Sequence, residues 1–161
     1  MTSVDYLEST LGALEVPIRF SRRPDPIPAD LRLAWRLSAL VLVLHRCRNN
    51  TATLQQLHVL TWAIRTAHNR ETFARWINGD KRPDDVIVRY DPSLSRTVDL
   101  ALGFGLVSRN DKGAIILTIA GSELADRVEG ESGTLAQEKA FLHRLPRRIS
   151  QKYINDLVTW Y

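Results

Sequence analysis

The 161-residue chain carries a single cysteine, Cys47. An intramolecular disulfide is therefore excluded, which fits a reducing cytoplasm. Long apolar runs are missing too. The longest, Leu37 to Leu44, is interrupted by Ser38 and falls well short of the ~20 residues that a membrane-spanning helix needs. The sequence does not open on a basic stretch followed by an apolar one, so no secretory signal is expected. Charge of one sign is scarce as well: 22 Lys and Arg stand against 18 Asp and Glu, for a formal net charge of +4. Acidic residues are interspersed nearly everywhere among the basic ones. That balance permits contact with nucleic acid without requiring it. The expectation is a cytoplasmic protein with no membrane partner.

The residue patterns that carry chemistry are also lacking. His45 and Cys47 are two apart on a helix, so they point in different directions and cannot share an ion. His58 and His68 lie on separate segments, without a second histidine or a glutamate at helical spacing, and no zinc-type pattern exists. Gly103-x-Gly105 follows a helix and precedes a strand, the reverse of a dinucleotide fingerprint, and there is no phosphate-binding loop. Asp84 and Asp85 are adjacent in a loop and diverge, as solvated turn residues do. Ser93, Ser95 and Ser122 have no companion base in a nucleophile context. The sequence therefore predicts a protein that is not an enzyme, with no catalytic residue, cofactor, metal or small-molecule substrate.

Arg89 to Val128 holds the strongest pattern. Asp91 is a good N-cap and Pro92 suits the first helical turn. Leu94, Val98, Ala101 and Leu102 recur at helical spacing, and Gly103 and Gly105 end the helix. Leu106 to Ser108 extend, Asn110 to Gly113 supply turn chemistry, and Ile115 to Thr118 return as a β-branched strand. Thr118 or the Ala120-Gly121 step opens a further helix, with Leu124 and Val128 inward. Helix, strand, tight hairpin, strand, helix is the second half of a winged-helix domain.

The flanks complete the organisation. Val4 to Leu14 reads as a short helix and Val16 to Phe20 as strand-like, followed by a proline-broken linker, Ser21 to Pro28. Asp30 to Arg48 reads as one long helix, apolar from Leu37 to Leu44 over most of its girth and so buried from more than one side. Part of that surface is expected to be left for another subunit. Asn49-Asn50-Thr51 breaks it. Thr53-x-x-Gln56 is a capping box for a second helix with Leu54, Leu57, Leu60, Ala63 and Ile64 inward. Arg70 to Asn78 makes a shorter helix, and Val86 to Val88 a short strand able to pair with the wing. Two closing helices follow, Thr134 to Leu145 with Leu135, Ala140, Phe141 and Leu145 inward, and Ile149 to Trp160. The fold class expected is mainly α with a small β wing: an N-terminal arm and linker over 1–29, a winged-helix core over 30–130, and C-terminal helices packed on it over 131–161.

A DNA-reading winged helix places its recognition helix in the major groove. The candidate contact residues there are Ser93, Ser95 and Arg96, against Asp91 and Asp99, which is a poor match to a row of phosphates. The wing adds Arg109 and Lys112, beside Asp111. Smaller basic concentrations occur at Arg22-Arg23 and Arg46-Arg48, which read as solvated surface, and at Arg144, Arg147, Arg148 and Lys152, close enough to form one patch. A winged helix without a basic recognition face usually turns its surface to protein.

LHVLTWAIRT, RYDPSLSRTVDLALGFGLVS and IILTIAGSELADRV resemble the middle component of ABC-three-component systems, the small subunit of Lamassu-type antiphage defence, over roughly Leu31 to Val158. The resemblance implies a non-catalytic accessory subunit beside an SMC-like coiled-coil ATPase and an effector, often a nuclease, with DNA touched through the complex. The alternative is a winged-helix DNA-binding transcriptional regulator. Four tryptophans, Trp35, Trp62, Trp76 and Trp160, suit a partner-dependent subunit and an ordinary monomer core equally.

Overall fold

The computed structural model describes residues 29–80, 91–146 and 148–158. The expected arm, the Val86–Val88 strand, Asp84-Asp85, Arg147 and Trp160 lie outside them. The described chain is mostly helical, with one small three-stranded antiparallel sheet.

Helix α1, Ala29–Arg46, is the centre of the structure. Every residue from Ala39 to Leu44 is buried, none more than 3% exposed. A continuous apolar run has no polar face to turn to water, so it is stable only when covered all round. The chain itself supplies the cover, through the helices α2, Leu54–Arg65, α4, Pro92–Gly103, α5, Ile119–Gly130, and α6, Ala136–Arg144, and the strand β3, Ile115–Leu117. This corrects the expectation that part of the Leu37–Leu44 surface waits for another subunit. The run that suggested a missing partner is the core of this chain.

Helix α1 stops at Arg46, two residues earlier than the apolar pattern implied. Cys47 is extended, and Asn49 and Asn50 take the left-handed conformation, with φ of 56° and 51°. Asparagine tolerates that region better than most residues. The reversal delivers strand β1, Thr51–Ala52, into the sheet. The capping box then starts α2: Gln56 N–H donates to Thr53 Oγ1 at 3.3 Å, and Thr53 N–H donates to Gln56 Oε1 at 2.9 Å. Helix α3, Ala67–Ile77, begins three residues before the predicted start, because the Thr66 hydroxyl accepts from Asn69 N–H at 3.1 Å and caps it.

Strand β2, Val107–Arg109, pairs with β3 in the register Val107↔Leu117, and β1 pairs with the other edge of β3, Thr51↔Ile116, giving the order β1-β3-β2. The third strand is thus drawn from the break after α1. Between β2 and β3 the Asn110 side chain accepts from Lys112 and Ala114 N–H, and Gly113 closes the turn at φ 77°. Thr118, the first of the two predicted openings, caps α5 by accepting from Gly121 N–H at 3.1 Å.

The closing segment is held by polar bonds as well as by packing. Buried Lys139 donates to the carbonyls of Val128, at 3.0 Å, Glu129 and Glu131, and so satisfies the carbonyls at the C-terminal end of α5 that lack helical partners. The Arg46 guanidinium donates twice to Leu142 O, so it serves the last turn of α6. Phe73 of α3 meets Phe141 of α6 edge to face at 6.0 Å, and Trp62 and Trp76 stack at 5.4 Å. Ala140, expected inward, is exposed. Helix α7, Gln151–Val158, follows Ile149, which forms a parallel bridge with Cys47.

Candidate functional site

Helix α4 forms as its sequence prescribes. Asp91 caps it, Pro92 opens it, and Leu94, Thr97, Val98 and Ala101 make its buried face. The opposite face, at i, i+4 and i+8, presents Pro92, Arg96 and Leu100, with Asp99 and Gly103 beside them and Phe104 just past the end. Leu100 is 41% exposed and Phe104 61%. Ile119, at the start of α5, is 81% exposed. It lies at the same end of α4, because its neighbour Thr118 donates from its hydroxyl to Gly105 O at 2.7 Å. The free, C-terminal end of α4 is therefore apolar.

The N-terminal end of α4 is a polar junction with α2. Asp91 accepts from Ser93 N–H at 2.9 Å and from the Ser93 hydroxyl at 2.6 Å, and it pairs with Arg65. Asp91 N–H donates to His58 Nδ1 at 3.3 Å. Partial burial works against the Asp91 charge, but the bonds from Ser93 and Arg65 outweigh it and bring the carboxyl down to about 2. Burial lowers the pKa of His58, against the opposing pull of Asp91. A neutral ring with Nδ1 as acceptor fits the bond it receives.

The predicted contact residues separate into distinct groups. Ser93 is half-buried and committed to the cap, so it is not a side chain free to read a base. Ser95 is half-buried. Arg96 is exposed and makes no ion pair among the described residues. The charge balance on this helix is less acidic than the sequence suggested, because Arg65, from another helix, answers Asp91. Arg109 and Lys112 are exposed on the hairpin. Arg144 borders an open cleft of about 310 Å³ between α3 and α6, shared with Arg70, Gln137 and Phe141. Arg148 and Lys152 are exposed next to a different cleft, of about 340 Å³, lined by Arg48, Asn49, Thr51, Ser150 and Gln151 and reaching Ala114 at the base of the hairpin.

Arg46 and Arg48, alike in the sequence as solvated surface, have different fates: Arg46 is tied to Leu142 O, while Arg48 is exposed at the second cleft. No sequence spacing signals this, since the bridge between Cys47 and Ile149 joins distant segments. The exposure of Phe104 and Ile119 has no signal in the sequence, because each stands just beyond the periodic stripe of its helix.

The candidate metal ligands are apart. Cys47 is buried, and burial pushes its thiol up to about 12. His58 serves the α4 cap, His45 faces Asp126 at 3.8 Å and His68 is exposed. Among the described residues no group of three potential ligands comes together, and no helix is long and apolar enough to cross a membrane. Comparison with protein-family models, with curated proteins and with solved structures finds no match to this chain.

Proposed function

We propose that the chain is a non-catalytic winged-helix accessory subunit that docks onto a protein partner through the free end of α4. The winged-helix reading is supported by the order of elements. A helix, a short strand, helices, a strand, a hairpin and a strand make a sheet in the order β1-β3-β2, with α4 running directly into the hairpin. The extra helix α3 is an elaboration of that plan.

The docking reading is carried by one observation, the exposed apolar set of Leu100, Phe104 and Ile119 at the end of α4. Large side chains in water at one end of a helix are a recognisable interaction surface, and aromatic residues at such a centre dominate binding energy. The resemblance of the sequence to the small subunit of Lamassu-type antiphage defence implies the partner: an SMC-like coiled-coil ATPase, with an effector subunit alongside it in the cytoplasm. The test is co-expression with an SMC-like coiled-coil ATPase from the same genome. Phe104→Glu and Ile119→Glu should each abolish co-purification while leaving the melting temperature unchanged. Full retention of the ATPase by both variants would sink the docking face.

A second reading, a DNA-binding regulator, is favoured by Arg96, Arg109 and Lys112, all exposed on α4 and the hairpin. Selection from random genomic fragments tests it. A discrete operator bound at nanomolar concentration would promote it over the accessory subunit.

A further inference from the structure

We propose that the cleft between the Arg48–Asn50 turn, the hairpin base and the start of α7 takes the phosphate backbone of duplex DNA, with Arg48 in its lining and the exposed Arg148 and Lys152 on either side of its Ile149–Gln151 wall. This surface is distinct from the docking end of α4 and does not depend on it.

The fold builds the cluster from two distant segments. Ile149 N–H donates to Arg46 O at 3.1 Å, and Arg48 N–H donates to Ile149 O at 3.0 Å. This short parallel bridge fixes Arg48 beside the Arg148–Lys152 segment. All three side chains are exposed, and none makes an ion pair among the described residues. Several cations elsewhere have work within the fold: Arg65 pairs with Asp91, Arg70 donates to Ile64 O and Gln137, and Lys139 serves the end of α5. Exposed cations with no ion-pair partner within the fold are drawn to a row of phosphates, whose binding releases counterions.

The lining has the matching chemistry. Asn49, Thr51, Ser150 and Gln151 carry amide or hydroxyl donors suited to phosphate oxygens. Among the described residues no carboxylate and no aromatic ring lines the cleft. The missing acid keeps the potential positive. The missing ring leaves no platform on which unpaired bases would stack, so the surface fits a duplex backbone rather than a single strand. Ala114 brings the cleft to the hairpin, where Lys112 extends the line of charge and Asp111 is the acid beside it. Asp156, one turn beyond Lys152 on α7, has an interaction of its own. Contacts of this kind hold a duplex in place and carry no sequence information, so binding should be indifferent to sequence.

The test is fluorescence anisotropy of the full chain with a labelled random-sequence duplex across a salt series. The double variant Arg48→Glu, Arg148→Glu should bind about ten-fold more weakly at low salt, and its log–log salt slope should be shallower by about two. Arg36→Glu, at an exposed cation of α1, should leave affinity and slope as they are in the unaltered chain. The proposal is overturned if the unaltered chain binds no better than the double variant, or if Arg96→Glu, on α4, takes the loss instead. A labelled single strand of the same length bound more tightly than the duplex would also overturn it. If the double variant fails to melt cooperatively, the single variants Arg48→Gln and Lys152→Gln replace it. Each should flatten the slope by about one, and unchanged slopes in both refute the site. Retention of the ATPase by these variants separates this result from the docking reading of α4.

Discussion

Replacing Gly121 with alanine adds one methyl group where the structure has no space. Gly121 lies in the first turn of α5, buried against the end of β3. A Cβ there would stand 2.0 Å from Leu106 O and 2.7 Å from Leu117 Cδ1. The nearer neighbour is backbone, and it is already engaged: Leu106 O accepts from Thr118 N–H at 3.1 Å. Relief requires α5 to lift by about 1 Å, which loosens the residue that caps α5. Overpacking of this kind costs about 1–3 kcal/mol, towards the upper end when the obstacle is backbone. A weakened cap adds about 1 kcal/mol. The better helix propensity of alanine returns up to about 1 kcal/mol. The net loss is about 2–3 kcal/mol, which lowers the melting temperature of a chain this long by about 5–10 °C. Gly130 is the internal control. It closes the same helix with nothing within 4 Å of its would-be Cβ, so Gly130→Ala should stabilise by a few tenths to about 1 kcal/mol. Urea titration followed by circular dichroism gives both values. Equal stabilities for the two variants, or a Gly121→Ala protein as stable as its parent, would refute the packing of α5 on the hairpin.

Three other outcomes follow from the polar bonds. Asp91 titrates at about 2 when folded, below its ordinary 3.8. Its stabilisation is therefore complete above the ordinary value and lost as pH falls through about 4 towards 2. Asp91→Ala should cost about 1–2 kcal/mol near neutrality and remove that portion of the acid dependence; identical acid-unfolding curves for the two proteins would count against it. Lys139→Met keeps the length of the stem but leaves three carbonyls at the end of α5 without their donor. It should lower stability by about 1–3 kcal/mol in urea, and a neutral result would remove Lys139 from that role. The Cys47 thiol, buried and raised to about 12, should not react with an aromatic disulfide reagent in the native protein and should react fully once denatured. Rapid native reaction would show that the end of α1 opens readily.

The residues of this chain specify most of the local structure without help. The Thr53-x-x-Gln56 box, the Asp91-Pro92 start and the Asn110–Gly113 turn act through bonds to backbone groups a few positions away, so their meaning is fixed by spacing. The apolar stripe of α4 is legible for the same reason. What the tertiary structure decided concerns partners distant in sequence. The run from Leu37 to Leu44 states that it must be covered but not by what; only packing reveals that the chain's own helices enclose it. Strand β1 is two residues long and has no periodicity to read, and it exists because β3 offers an edge. Arg65 neutralises Asp91 across two helices, which changes the charge of α4 in a way no local count includes. Arg46 and Arg48 are indistinguishable as letters. One is drawn to the end of α6 and the other left in water beside Arg148, because the bridge at Ile149 fixes which side of the turn faces the protein.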